Sequence, residues 1–151
     1  MYHFPCFNFI LSLIFILPTA SCASICTHTE CFDSPGSFSS PNYPNNYWDY
    51  VKMSWLITSP KGQVVTINFD SHFHTRCAGD YVWIYNGSST SDSEIGKYCG
   101  TAGPVGNITS SSNGNLLVIF TSNSRDVSFG FSATFYFEGK QTVVASLIIN
   151  L

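Results

Sequence analysis

Charged side chains are scarce in this sequence of 151 residues. It contains 6 Lys and Arg residues and 9 Asp and Glu residues, which give a formal net charge of −3. The few cations are scattered, and no basic cluster of the kind that binds nucleic acid is present in the sequence. The composition therefore predicts that the chain has no nucleic-acid partner.

The sequence also lacks the local motifs of the common catalytic sites. It has no HExxH, no GxSxG and no GxxxxGK, which mark zinc proteases, serine hydrolases and phosphate-binding loops respectively. The serines are numerous, but none lies in a nucleophile motif. We therefore expect the chain not to be an enzyme.

No apolar run is long enough to cross a membrane, but the first one predicts secretion. The first 21 residues contain no Lys, Arg, Asp or Glu, and residues 9–17 form the apolar block FILSLIFIL. A membrane span needs about 20 apolar residues, so no transmembrane anchor is predicted. Small residues, Ser21 and Ala23, occupy the −3 and −1 positions of a cleavage after Ala23. Residues 1–23 are thus predicted to be a signal peptide of a secreted, extracellular protein.

Secretion changes how many of the six cysteines remain in the mature chain and what chemistry is expected of them. Two of them leave with the signal peptide, and the four that remain are Cys26, Cys31, Cys77 and Cys99. In an oxidising compartment an even set of cysteines predicts disulfides. Spacing alone leaves all three pairings open.

Alternating apolar residues predict strands rather than helices after the signal peptide. The predicted strands span residues 52–58, 63–70, 80–85, 96–99, 115–122 and 131–137. Residues 34–47, rich in Pro, Gly, Ser and Asn, are predicted to be turns. Several short strands at this spacing predict an all-β fold, a two-sheet antiparallel β-sandwich. The apolar tail, residues 139–151, is predicted to be an extra strand or a loose end.

Several segments, taken in order, resemble the CUB domain family. They are SPGSFSSPNYPNNY (34–47), Trp55, CAGDYVWIYNG (77–87), YCG (98–100) and LLVIFTSNSRDVSFGF (116–131). The resemblance covers residues 31–138 and follows a short N-terminal segment, residues 24–30. It implies a jelly-roll type sandwich in an extracellular, non-enzymatic module that binds protein or glycan ligands. The alternative is an accessory exosite module of a larger extracellular protease or receptor whose other domains are missing from this chain.

The resemblance also implies a disulfide arrangement. Cys77 corresponds to a family cysteine that pairs with the position of Cys99. The usual N-terminal bridge cannot form, because Met53 occupies the position of its second cysteine. Cys26 and Cys31 are therefore predicted to pair with each other in a short loop, which constrains little chain entropy. The alternative is that one of them bridges to a second chain.

The family's calcium site is only partly present in this sequence. Asp80 matches one of its three acidic positions and Tyr47 matches its supporting tyrosine. His72 and Asn123 stand where the other two acids are expected, and Asp70 and Asp126 lie nearby in sequence as possible substitutes for them. Because Ca²⁺ prefers several carboxylates among six to eight oxygen ligands, the sequence predicts weak calcium binding at best and no other cofactor. The alternative role of Asp80 is to accept hydrogen bonds from loop backbone.

A transition-metal site is the second metal hypothesis for the same stretch. His72 and His74 are two residues apart, so on a strand they share a face, and Asp80 is nearby in sequence. Zinc needs three or four ligands with free lone pairs, and Cys77 is committed to a disulfide by the resemblance. The sequence supplies no third ligand with certainty, so a zinc site is not expected.

Two further features concern the surface. The sequons Asn86-Gly87-Ser88 and Asn107-Ile108-Thr109 predict glycosylation at Asn86 and Asn107. In DYVWIY, Val82 and Ile84 match positions that point inward in the CUB family. The resemblance therefore implies that Tyr81, Trp83 and Tyr85 lie on the outer face. Exposed together, these rings form a contact patch for a partner. Otherwise neighbouring strands or the chain ends cover them.

Overall fold

The computed structural model describes residues 29–111, 114–124 and 126–139. The predicted signal peptide, the start of the N-terminal segment with Cys26, and the tail after Gly139 lie outside the described residues. The described part contains these nine strands: β1 (Thr29–Phe32), β2 (Gly36–Ser39), β3 (Lys52–Thr58), β4 (Gln63–Phe69), β5 (Tyr81–Asn86), β6 (Ser93–Tyr98), β7 (Asn107–Thr109), β8 (Asn115–Thr121) and β9 (Ser132–Gly139).

The strands form two sheets. One has the order β1-β3-β8-β5-β6 and the other has the order β2-β9-β4-β7. The predicted all-β, two-sheet sandwich is confirmed, and every pair of neighbouring strands is antiparallel except β1 and β3, which run parallel. A helix that could span a membrane is absent from the residues that the structure describes.

The side chains between the sheets form one core with an unusually aromatic centre. Alternation along each strand sends every second side chain into this space, as with Trp55 on β3 and Val82 on β5, both fully buried. Phe131, just before β9, lies at the centre. Its ring centroid is 5.5 to 6.3 Å from those of five other rings, namely Phe38, Trp55, Phe69, Phe73 and Phe120.

Close backbone approach fixes Phe131 in place. Its N–H donates to the Ser40 hydroxyl at 3.0 Å, and its carbonyl accepts from the Ser40 N–H at 2.9 Å. The preceding Gly130 has φ of +80°, and a Cβ atom there would lie 1.8 Å from the Ser40 Oγ. Only glycine therefore permits this approach.

Disulfides hold two parts of the larger sheet. Cys77 and Cys99 are bonded, with Cα atoms 5.1 Å apart, so the loop before β5 is tied to the end of β6. Cys31 on β1 is also disulfide-bonded. Its partner lies outside the described residues, so the pairing of Cys26 with Cys31 stays a prediction.

Candidate functional site

Asp80 lies at the loop end of the sandwich, directly before β5, and is 1% exposed. Its Oδ2 accepts a 2.6 Å hydrogen bond from the Tyr47 hydroxyl. Its Oδ1 accepts a 2.9 Å hydrogen bond from the backbone N–H of Asn123. Both carboxylate oxygens are thus engaged, and the side chain joins three segments that are distant in sequence.

Tyr47 contributes a hydroxyl with two roles. It donates to Asp80, and it accepts a 3.2 Å hydrogen bond from the backbone N–H of Arg76. Burial of the ring, followed by its hydrogen bond to Asp80, raises the pKa of Tyr47 well above its ordinary value. Tyr47 therefore keeps its proton and remains a donor to the carboxylate.

The loop before Asp80 packs directly on Asn123. Gly79 has φ of +140°, and a Cβ atom there would lie 2.0 Å from the Asn123 Nδ2. That nitrogen donates to the Ala78 carbonyl at 2.6 Å. The amide of Asn123 thus holds the loop, at a position where the family resemblance implies a calcium-binding acid.

His72 does not join this cluster through any hydrogen bond. Its side chain is 78% exposed, and its Nδ1 lies 2.9 Å from the Asp70 Oδ1. The backbone N–H of His72 donates to the same oxygen. This backbone hydrogen bond, followed by the hydrogen bond from the His72 ring, holds the pKa of Asp70 below its ordinary value. The His72 ring, which stands at one of the family's acidic positions, is therefore paired with Asp70 and not with Asp80.

The residues present do not fit a calcium ion. Asp80 is the one carboxylate of the predicted set, and protein donors engage both of its oxygens. In the described part of the chain, no group of three or more His, Cys, Asp or Glu side chains is placed to hold a metal. The same finding leaves His74 without a zinc ligand set among the described residues, and its ring packs against Phe129 with centroids 5.2 Å apart.

We expect millimolar Ca²⁺ to leave the melting temperature of the domain unchanged. Asp80 is the one carboxylate among the three acidic positions of the family's site, and Ca²⁺ prefers several carboxylates among six to eight oxygen ligands. The ion therefore gains little by binding the folded state and stabilises it little. Melting curves recorded with excess Ca²⁺ and with a chelator measure this directly. A rise of several degrees with Ca²⁺ would contradict the expectation.

The loop that follows Tyr47 displays two large aromatic side chains. We call residues 47–51 the corner loop. In it Trp48 is 62% exposed and Tyr50 is 76% exposed. The Trp48 carbonyl accepts from the Ser122 hydroxyl at 2.8 Å, and the Tyr50 N–H donates to the Asn123 carbonyl at 3.1 Å. The loop is therefore fixed along the segment that follows β8.

Tyr50 adopts a strained backbone conformation. Its φ is +55°, the left-handed region, which costs a residue with a Cβ atom roughly 1 to 2 kcal/mol. Such strain persists where the surrounding structure enforces it, and it is concentrated at functional sites. The sequence analysis missed Trp48 and Tyr50, although an aromatic cluster, YWDY, beside a turn-rich segment was a visible signal.

The predicted contact residues lie where the family resemblance placed them, on the outer face of β5. We call Tyr81, Trp83 and Tyr85 the aromatic stripe; all three are half-buried. Lys97 on β6 covers part of it, with its Nζ 3.6 Å from the Tyr81 ring centroid and 4.3 Å from the Trp83 ring centroid. Sequence reasoning did not identify Lys97.

The two sequon asparagines occupy different environments. Asn107 is exposed on the edge strand β7, where its Nδ2 donates to the Tyr136 hydroxyl at 3.2 Å. Asn86 ends β5, and its Oδ1 accepts from the Ser111 N–H at 2.8 Å. Glycosylation at either position stays a prediction, and a glycan on Asn107 would extend from a sheet edge.

Curated relatives match this domain over a small part of their own length. Cubilin of Sus scrofa is 42% identical over 102 residues, which are 66% of this chain and 3% of cubilin. The astacin-like metalloendopeptidase of Coturnix japonica is 41% identical over 103 residues, which are 66% of this chain and 25% of that protein. The activities and partners of such whole proteins are not established for this chain.

A solved structure and a sequence model of a protein family also match this chain. The MASP-1 CUB2 domain bound to Ca²⁺ is 25% identical with a TM-score of 0.61, covering 72% of this chain and 98% of that one. The neighbour's crystal structure thus holds a calcium ion, whereas the residues here do not fit one. The sequence model described as the CUB domain matches residues 26–135, most of the chain. This chain therefore belongs to the CUB domain family.

Proposed function

We propose that this domain is a secreted, non-enzymatic module that binds an extracellular protein through the corner loop and the adjoining aromatic stripe. The observation that carries the proposal is the exposure of Trp48 and Tyr50 on a loop of fixed backbone. Tryptophan and tyrosine are the residues most enriched among those that dominate interface energies. A fixed loop also loses little conformational entropy when it binds.

The corner loop and the stripe border each other. The loop is hydrogen-bonded to residues 122–123, which directly follow Thr121, the last residue of β8. Thr121 pairs with Tyr81 in the sheet, so the first residue of the stripe lies one strand away from the end of the loop. This proximity of the two backbones supports treating the corner loop and the start of the stripe as one binding surface.

The double variant Trp48→Ala/Tyr50→Ala tests the proposal. Peptides selected on the wild-type domain from a random display library are expected to bind the double variant at least about tenfold more weakly, because truncating a dominant interface ring costs more than about 1 to 2 kcal/mol. The melting temperature should change little, since both rings are exposed. Val105→Ala is the matched control, because Val105 is 99% exposed on a different loop.

Three outcomes would contradict the proposal. One is a selection that enriches no peptide, and another is a selection that enriches peptides binding the double variant as tightly as the wild-type domain. The third is that the wild-type domain binds glycans but no peptide, and loses this binding when Trp48 is replaced. The binding surface would then be correct, but its ligand would be a sugar and not a protein.

A second candidate role is that of an accessory module in a larger protease. The match to 25% of the length of an astacin-like metalloendopeptidase supports it. Binding by the same surface would then act as an exosite that brings substrate to a separate catalytic domain. Sequencing the full transcript distinguishes the two: a catalytic domain in the same reading frame supports the accessory role, and its absence removes that role.

A further inference from the structure

Three of the chain's cationic side chains lie around the start of the aromatic stripe. Lys52 on β3 and Tyr81 on β5 both pair with Thr121, from opposite sides, so their backbones are about 10 Å apart and their side chains share the outer face. Arg76 is adjacent to Cys77, whose carbonyl accepts a 2.9 Å hydrogen bond from the Tyr81 hydroxyl. Lys97 lies over the Tyr81 ring.

Lys97 is held in place without a carboxylate. Its ammonium contacts two ring faces, and cation–π contacts of this kind contribute about 0.5 to 1 kcal/mol at exposed sites. In the described ranges, the one ion pair is that of His72 with Asp70. Lys52, Arg76 and Lys97 are therefore exposed cations with no acidic partner among the described residues.

Few acidic groups face these cations. Asp80, the nearest in sequence to the stripe, is buried and engaged by Tyr47 and Asn123. Glu94 pairs with Tyr85, at the far end of the stripe. Asp49 lies in the corner loop and is exposed. Around Tyr81 the three cations therefore outnumber the two exposed acids of the bordering segments, Asp49 and Asp126, although the chain as a whole carries a net charge of −3.

We propose that this surface recognises an acidic segment of the partner protein, in which carboxylates alternate with apolar side chains. The proposal rests on the proposed function and adds the chemistry of the ligand. Apolar side chains of the segment would cover Trp83 and the corner-loop rings, while its carboxylates would reach the ammonium groups of Lys52 and Lys97. Complementary charge of this kind gives specificity and speeds association.

A sulfated polysaccharide is the competing anionic ligand, and the surface favours it less. A long polyanion is attracted by extended basic stripes, whereas here three cations are separated by aromatic area on a protein of net negative charge. Aromatic side chains with few charges at the centre are typical of protein interfaces. We therefore assign the surface to a protein ligand.

The test uses the peptides selected from the random library on the full chain. We expect them to be enriched in Asp and Glu over the starting library. Lys52→Glu/Lys97→Glu should weaken their binding at least about tenfold, because it sets like charges against the peptide. Binding should also weaken several-fold when NaCl rises from about 0.05 M to about 0.3 M, because exposed charges are screened.

The control is Lys61→Glu, paired with the single variant Lys97→Glu so that each changes one exposed lysine. Lys61 lies in the turn between β3 and β4, at the other end of β3 from Lys52, so its reversal should change affinity less than about twofold. Lys97→Glu alone should account for most of the loss of peptide affinity seen in the double variant. Equal effects of Lys61→Glu and Lys97→Glu would overturn the proposal, since net charge alone would then explain binding.

The remaining outcomes separate this inference from the proposed function. Peptides that need Trp48 and Tyr50 but are not acidic, and that ignore the lysine reversals, would overturn the inference and leave the proposed function intact. No selected peptide would overturn both. Lysine-dependent binding of heparin, without binding of acidic peptides, would overturn the inference in favour of a polyanionic glycan.

Discussion

Asp80→Ala is expected to lower the free energy of unfolding by about 3 to 5 kcal/mol. The substitution removes an acceptor for two hydrogen bonds, from the Tyr47 hydroxyl and from the Asn123 N–H. Bonds to a charged group contribute about 1.5 to 3 kcal/mol each, and the donors would be left in a buried site without a partner. Urea unfolding with an unchanged m-value measures the loss.

Two controls separate this role from metal binding. Asp80→Asn keeps an oxygen that can accept from the Asn123 N–H, so we expect a smaller loss, about 1 to 2 kcal/mol. The loss for Asp80→Ala should be the same with excess Ca²⁺ and with a chelator. If it appeared only with Ca²⁺ present, Asp80 would act through the ion and the description of the site would be wrong.

A double-mutant cycle with Tyr47→Phe tests the pair directly. Tyr47→Phe removes the donor and keeps the ring that packs on Phe120, with centroids 5.0 Å apart. We expect a coupling energy of about 1 to 3 kcal/mol, the range for residues in one hydrogen-bond network. Additive losses would show that the hydroxyl and the carboxylate stabilise the fold independently.

Phe131→Ala is expected to destabilise the domain by about 3 to 5 kcal/mol. The ring is fully buried and contacts five other aromatic rings. Its neighbours belong to both sheets, so they cannot all move into the space left behind. Because a small domain is stable by only about 5 to 15 kcal/mol, this one change removes a large share of the total.

Phe131→Leu is the matched variant for this prediction. It keeps most of the apolar volume and the hydrogen bonds between the backbone and Ser40, so we expect a loss of about 1.5 kcal/mol or less. Unfolding in urea and thermal melting both report the difference. A similar loss for the alanine and leucine variants would show that ring contacts, rather than filled volume, hold the centre of the core.

The central strands could be predicted from alternation, whereas most edge strands could not. β3 has the predicted bounds, because Met53, Trp55 and Ile57 alternate over seven residues. The three strands that the sequence did not predict, β1, β2 and β7, are edge strands of three or four residues. Each buries at most one side chain, so no period of two is visible in its sequence. Pairing with a longer neighbour defines them.

The site could be predicted in part. The family resemblance identified Tyr47, Asp80 and Asn123, but hydrogen-bond partners depend on three segments that only the fold brings together. The exposed ring of Tyr50 sits on a left-handed backbone that tyrosine rarely adopts. Neither this conformation nor the exposure of Trp48 can be read from the types of residue in the segment. The contact of Lys97 with two rings depends on strand register.

The parallel pairing of β1 with β3 also determines how the domain should be mounted in a binding assay. Thr29 pairs with Ser54, close to the end of β3 that follows the corner loop. Gly139 ends β9 opposite Gln63, beyond the turn at the other end of β3. A tag attached after Gly139 therefore directs Trp48 and Tyr50 away from a sensor surface, whereas a tag placed ahead of Thr29 brings that surface beside them.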